Sequence, residues 1–392
     1  MTLDPQAATA AYIDSVGATA LAKAASYTAG SHWLLLWGLL LTGLVSWLVV
    51  RSHVLNRVSD KLGSRGPVLR SFAVALVFFL ASALLMLPWS IYSEWWRERS
   101  YGRTSQPLGD FLGQNALGIL ISAPLGALFV VAVYALMRRT RRAWWIWSGA
   151  LTAGAVSVFL LLAPVLIEPI FNDYKPVPAG PVREALLVMA QRAGVPPERI
   201  FVFNGSRQSN NFTANVSGLG SAARIAISDV ALKGASLDEV KAVTAHEIGH
   251  YVLGHVWRAV MVMSLMAMLF FFLANRLYPH FARVFGLPSS NGHAPTIADP
   301  ICLPVLVFAL ALLALLAKPI FSNLSRINES AADHYSLETV NLPDALASAL
   351  VKTAEYRDPR PNALQEWIFY SHPSVERRVR VAMQWKAAHP AK

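Results

Sequence analysis

Charge is what this sequence has least of. Only 15% of its 392 residues are Asp, Glu, Lys or Arg, whereas 55% are hydrophobic; a soluble globular protein carries roughly 25% charged residues. The imbalance points to lipid as part of the solvent. Cysteine is almost missing: Cys302 stands alone, which excludes an intramolecular disulfide and a thiolate metal cluster. The N-terminus lacks the basic start of a cleavable signal and has Asp4 and Asp14 instead, so the first apolar run is expected to be retained.

What is present is a series of apolar runs. A helix needs about 20 residues to cross the hydrocarbon core, where only a helix or closed barrel satisfies its own backbone. Six runs are candidates: 33–50, 71–93, 111–137, 144–167, 259–275 and 301–317, the last two barely long enough. The formal charge of +11 could suggest nucleic acid, but basic residues such as Arg138, Arg139, Arg141 and Arg142 sit beside apolar runs and read as juxtamembrane anchors. No nucleic-acid partner is expected.

Between the fourth and fifth runs the composition turns soluble. Residues 181–193 have helical spacing, and 200–203, 212–217 and 224–228 read as short strands of a small antiparallel sheet. Ser236 followed by Glu239 is a capping-box start to another helix. The expected organisation is an N-terminal segment 1–32, a four-span membrane domain 33–167, a soluble domain 168–258, two further spans within 259–317, and a C-terminal part 318–392 that returns to the chemistry.

That helix carries AHEIGHYVLGH at 245–255. Histidines four apart on a helix differ by about 40° around the axis, so His246 and His250 can share an ion. Glu247 lies about 100° from His246 by the same geometry, placed to act as base on a bound water rather than to ligate. This is the zincin pattern. Leu253 and His255 do not meet the metzincin spacing, and on a continuous helix His255 would lie about 180° from His246; it reads as an outer-sphere or boundary histidine.

Catalytic zinc takes three protein ligands and leaves a position for water, so a carboxylate from elsewhere should complete the site. SRINESAADHYS, residues 325–336, offers one. Glu329 can bind the ion while Asp333, one turn on, accepts a hydrogen bond from a ligand histidine's other nitrogen. Arg326 could pair with either carboxylate or form an ordinary surface ion pair.

Five segments occur in an order that resembles the type I CAAX prenyl protease family of integral-membrane zinc endopeptidases. They are IEPIFNDYKPVPAG from Ile167, ANVSGLG from Ala214, HEIGH, the SRxxExxAD helix from Ser325, and SHPSVERR from Ser371. The resemblance implies a mainly α membrane protein: a ring of transmembrane helices around a chamber, capped by a zincin-like α+β protease domain. One inward-facing Zn2+ and a peptide or protein substrate, prenylated chains included, go with it. It further implies that the strand with Ala214, Asn215 and Ser217 pairs its backbone with substrate, and that His372 stabilises the oxyanion. On the residues alone that strand reads as readily as an ordinary hairpin strand, and a tail histidine is more often simply solvated. Thr213-Ala214-Asn215 departs from the family's usual Asn-Ala-Tyr, and six runs stand where eukaryotic members have seven, which suggests a bacterial-type member of an inner membrane.

The function expected is zinc-dependent cleavage of CAAX-type or similar membrane-associated substrates. The alternatives are a quality-control protease with no prenyl requirement and a non-catalytic zinc-bearing scaffold. Sidedness is divided: segments 51–70 and 138–142 carry five and four Lys/Arg against three in 94–110 and one in 1–32, which puts the soluble domain outside, whereas the resemblance puts the active site on the cytoplasmic side. The expectation adopted follows the resemblance, because long domains evade the charge rule.

Overall fold

The computed structural model describes residues 3–218, 220–287 and 295–390. Its principal helices are α1 (Pro5–Asp14), α2 (Ala18–Arg51), α3 (Pro67–Ser90), α4 (Leu108–Thr140), α5 (Trp144–Leu162), α6 (Pro181–Arg192), α7 (Leu237–Val252), α8 (His255–Phe285), α9 (Leu303–Leu316), α10 (Lys318–Val340), α11 (Pro343–Lys352) and α12 (Val375–Ala388). Four strands complete it: β1 (Tyr174–Pro176), β2 (Ile200–Phe203), β3 (Ala214–Ser217) and β4 (Arg224–Ser228).

Four continuous helical stretches are long and apolar enough to cross a membrane: Ala18–Arg51, Pro67–Ser100, Leu108–Phe171 and His255–Phe285. The third has 64 residues, about 96 Å at 1.5 Å per residue, three times the hydrocarbon thickness. It is divided at Arg141, whose φ of 43° no helix interior tolerates, and α4 and α5 on either side pack against each other. The sixth apolar run differs from the straight span expected. Helix α9 has only 14 residues, about 21 Å, and continues across Ala317 into α10 with a 51° bend.

The packing of the two chain ends constrains the parity of the crossings. Helix α1 packs on α12, and Ile13 is fully buried in the cluster they share with Val379 and Met383. Residues 1–32 are thus no free-standing segment. With α1 packed on α12, any crossings between them are even in number, and α2, α3, α4, α5, α8 and the bent α9–α10 pair are six candidates by length and composition. Exposed Trp33, Leu36, Trp37, Leu40 and Leu44 give α2 an apolar outer face of the kind lipid covers.

The sheet departs from the antiparallel one expected. Its order is β1-β2-β4-β3, with β1–β2 and β3–β4 antiparallel but β2–β4 parallel. All five residues of β4 are buried, so this central strand has no polar alternation to reveal its neighbours' direction. The β3–β4 turn needs Gly218 at φ 84°, where a Cβ would meet Ala222 O at 2.2 Å.

Helix α7 starts where its capping box predicts. Ser236 Oγ accepts from Glu239 N at 3.2 Å and Glu239 Oε2 accepts from Ser236 N at 2.7 Å. The same glutamate takes hydrogen bonds from Ser348 and Lys352 of α11, each at 2.7 Å. Helix α10 then approaches α7 so closely that a Cβ on Gly249 would lie 3.2 Å from Ala332 Cα and 3.1 Å from Tyr335 Cβ. Ser336 Oγ donates across this seam to Ala242 O at 2.7 Å. Gly249→Val should therefore force the helices apart and destabilise the protein by about 1–3 kcal/mol, the scale of overpacking; thermal unfolding in detergent would show it, and an unchanged midpoint would mean the seam is loose.

Candidate metal centre

The close α7–α10 seam brings the two predicted ligand histidines of α7 face to face with Glu329 and Asp333 of α10. His246 Nε2 and His250 Nε2 are 3.1 Å apart on α7. From α10, Glu329 Oε2 lies 3.3 Å from His246 Nε2 and its Oε1 lies 3.5 Å from His250 Nε2. An ion held tetrahedrally at 2.0–2.1 Å separates its ligand atoms by about 3.3–3.4 Å, and one ligand atom from each of the three residues lies within 4.8 Å of the other two, near enough for a single ion to draw them together. Glu329 Oε2 is buried and makes no well-aligned hydrogen bond, as suits a carboxylate oxygen directed at a cation. The donor set, two imidazoles and one carboxylate, fits a divalent metal.

A second layer holds the donors. His246 Nδ1 lies 2.9 Å from Asp333 Oδ1, which leaves Nε2 to the ion. Asp333 is gripped in turn by Arg378 of α12, whose Nε and a terminal nitrogen both sit at 2.7 Å. That guanidinium also approaches Glu329 Oε2 at 3.6 Å. Sequence reasoning assigned no role to Arg378. Its signal lay inside the SHPSVERR segment, as a buried arginine between the buried Val375 and Val379 of one amphipathic helix.

Arg326 takes neither of the roles expected of it. It is buried and donates to the carbonyls of Glu366 at 2.8 Å and Tyr370 at 2.6 Å and to Asn323 Oδ1 at 3.3 Å. It ties the segment before His372 to α10. His255 stands beside a ligand candidate, an outer-sphere place, but reaches it by a route that a continuous helix does not give, because α7 does not continue through it. Gly254, at φ 66°, ends the helix, and His255 folds back so that its Nδ1 meets His250 Nδ1 at 2.9 Å. Helical projection across a glycine break misplaced it.

A cavity of about 350 Å³ opens on this cluster. Glu247 lines it beside His246, His250 and Glu329, and burial raises the Glu247 carboxyl above its ordinary range despite the neighbouring histidines. His372 lines it too, with Nε2 at 3.3 Å from Glu329 Oε1; burial pushes its pKa down to about 3, so the imidazole is neutral. Phe212, Thr213 and Ala214 form a further wall. Strand β3 is an edge of the sheet, with one row of backbone groups free of strand partners. Asn215 and Ser217 lie on that strand but not on the cavity wall; Ser217 Oγ accepts from Arg224 Nε at 3.3 Å.

Comparison with known proteins gives the chain's relatives. Residues 176–386 match the model of peptidase family M48. Residues 5–173 match a CAAX prenyl protease N-terminal model described as five membrane helices, although that range here holds the four spanning helices α2 to α5. An uncharacterized metalloprotease of Bacillus subtilis, YhfN, is 26% identical over 368 residues, covering 92% of this chain and 85% of that protein. CAAX prenyl protease 1 of Saccharomyces cerevisiae is 28% identical over 362 residues, covering 88% and 76%. The crystal structure of S. mikatae Ste24p superposes with a TM-score of 0.71 at 26% identity, over 81% of this chain and 76% of that one. With its family match spanning the metal centre and its membrane helices matched separately, this chain belongs to peptidase family M48 and is an integral-membrane metallopeptidase homologous to the CAAX prenyl proteases.

Proposed function

We propose that the chain is a zinc endopeptidase that cleaves membrane-associated proteins at the α7–α10 seam, with prenylated CAAX-type chains as its first candidate substrates. The observation that carries the reading is the cluster of His246, His250 and Glu329, whose ligand atoms all lie within 4.8 Å of one another, with the buried Glu247 next to it. When bound, zinc supplies a more acidic water and polarises a carbonyl. Glu247 takes the water's proton and returns it to the leaving amine, a task its raised pKa suits. Asp333 orients His246, and Arg378 orients Asp333. Neutral His372 donates a hydrogen bond to the developing oxyanion. The free edge of β3 near Ala214 and Asn215 pairs with extended substrate, which excludes folded chains.

A reading without prenyl specificity, general clearance of damaged membrane proteins, shares every one of these groups. Comparable cleavage rates for a farnesylated peptide and its unmodified counterpart would favour it.

Glu247→Gln should keep one zinc per chain and lose turnover roughly 10²- to 10⁴-fold, the range of general acid–base catalysis. Metal analysis beside a peptide-cleavage assay reads both, and a variant that still cleaves sinks the proposed role. Asp333→Ala should weaken zinc binding roughly 10- to 100-fold in a chelator competition; undiminished affinity would separate it from the ligand shell. Falling pH should release the metal as protons compete for the imidazoles. For sidedness, the reading places the domain with α7 in the cytoplasm of a bacterial inner membrane. A reporter fused after Lys392 that is active only in the periplasm would reverse it.

A further inference from the structure

Next to the metal-site cavity lies a second one, of about 240 Å³, that the proposed chemistry does not use. The two share Tyr356, Arg357 and His372 on their walls, so whatever extends from the metal site along that wall enters it. Two cations line it, Arg357 and Lys318, and among the described residues no Asp or Glu does. Among the described residues neither cation has a hydrogen bond or an ion pair. Asp358, next along the chain, spends a carboxylate oxygen on Arg360 N at 3.0 Å.

Both positions are poor ones for the fold itself. The two residues are partly buried, and a charge drawn out of water without a partner is unfavourable. Each of these unfavourable terms turns favourable when an anion enters, and a guanidinium with an ammonium is a ready receptor for a carboxylate.

We propose that Lys318 and Arg357 form an anion subsite that binds a carboxylate of the peptide substrate within a few residues of the scissile bond. The subsite rests on the peptidase reading and adds a charge preference to it. The carboxylate has two possible sources, the substrate's C-terminus or an Asp or Glu side chain, and both are bound by the same contacts.

The test uses the full-length, zinc-loaded Glu247→Gln protein, so that binding is measured without turnover. N-terminally fluorescein-labelled peptides are compared by fluorescence anisotropy: one with a free C-terminal carboxylate, one with a C-terminal amide, and an amide ending in Asp. The free acid should bind about tenfold or more tightly than the neutral amide, the scale of one charge-assisted hydrogen bond. Adding Lys318→Gln or Arg357→Gln should shrink that difference and leave the neutral amide's Kd unchanged. Recovery by the Asp-amide assigns the subsite to side-chain carboxylates, and no recovery assigns it to the terminus. Equal affinity for acid and amide overturns the proposal, as does a substitution that weakens all three peptides alike. In the wild type, an acid preference without any cleavage would overturn the peptidase reading alone, whereas cleavage without the preference would overturn the subsite alone.

Discussion

The approach of α7 to α10 at Gly249 is the constraint on which the rest depends. A backbone-to-backbone contact this tight, with 3.2 Å left for a Cβ against Ala332, puts His246 and His250 within reach of Glu329. The two helices are separated in the chain by α8 and α9, so they meet only after the chain has crossed the membrane and returned. Closing that loop has an entropic cost, met by the apolar seam and, once the ion binds, by bonds between the two helices. Metal binding and assembly of the membrane helices are therefore one equilibrium.

Local signals were legible in the sequence wherever one helix holds them. The capping box at Ser236, the common face of His246 and His250, and the turn-spaced Glu329 and Asp333 all follow from helical periodicity, and the structure places them so. Periodicity fails across breaks. Gly254 redirects the chain and returns His255 to His250, and Ala317 bends what composition presents as one more span. It also says nothing of contacts between distant elements. Arg378 reaches Asp333 from 45 residues away, and Arg326 turns from the carboxylates to the carbonyls at 366 and 370, contacts that no local pattern announces. The parallel β2–β4 pair was illegible for a related reason: a strand buried on both faces carries no alternation from which to read its neighbours.

Charge accounting ties these pieces together. Glu247, Glu329 and Asp333 bring three carboxylates to a buried space, and Arg378 brings one cation, which leaves two negative charges where desolvation makes them unfavourable. A divalent metal cancels them. The histidines need not be protonated for this, and they cannot be if they ligate. Arg378 serves the balance twice: it holds Asp333 as a carboxylate able to orient His246, and it lowers the number of charges the ion must neutralise from three to two. A chain with hydrophobic replacements at 333 and 378 together would keep the balance, but it would release His246 to rotate. The pair thus fixes the geometry of the ligand rather than the charge of the site. Beyond this neutral centre, Arg357 and Lys318 remain as an uncompensated excess on the adjoining wall. The field in the cavity then runs from neutral at the reacting bond to positive beside it, and a peptide carrying a carboxylate at that distance has one preferred direction in which to lie.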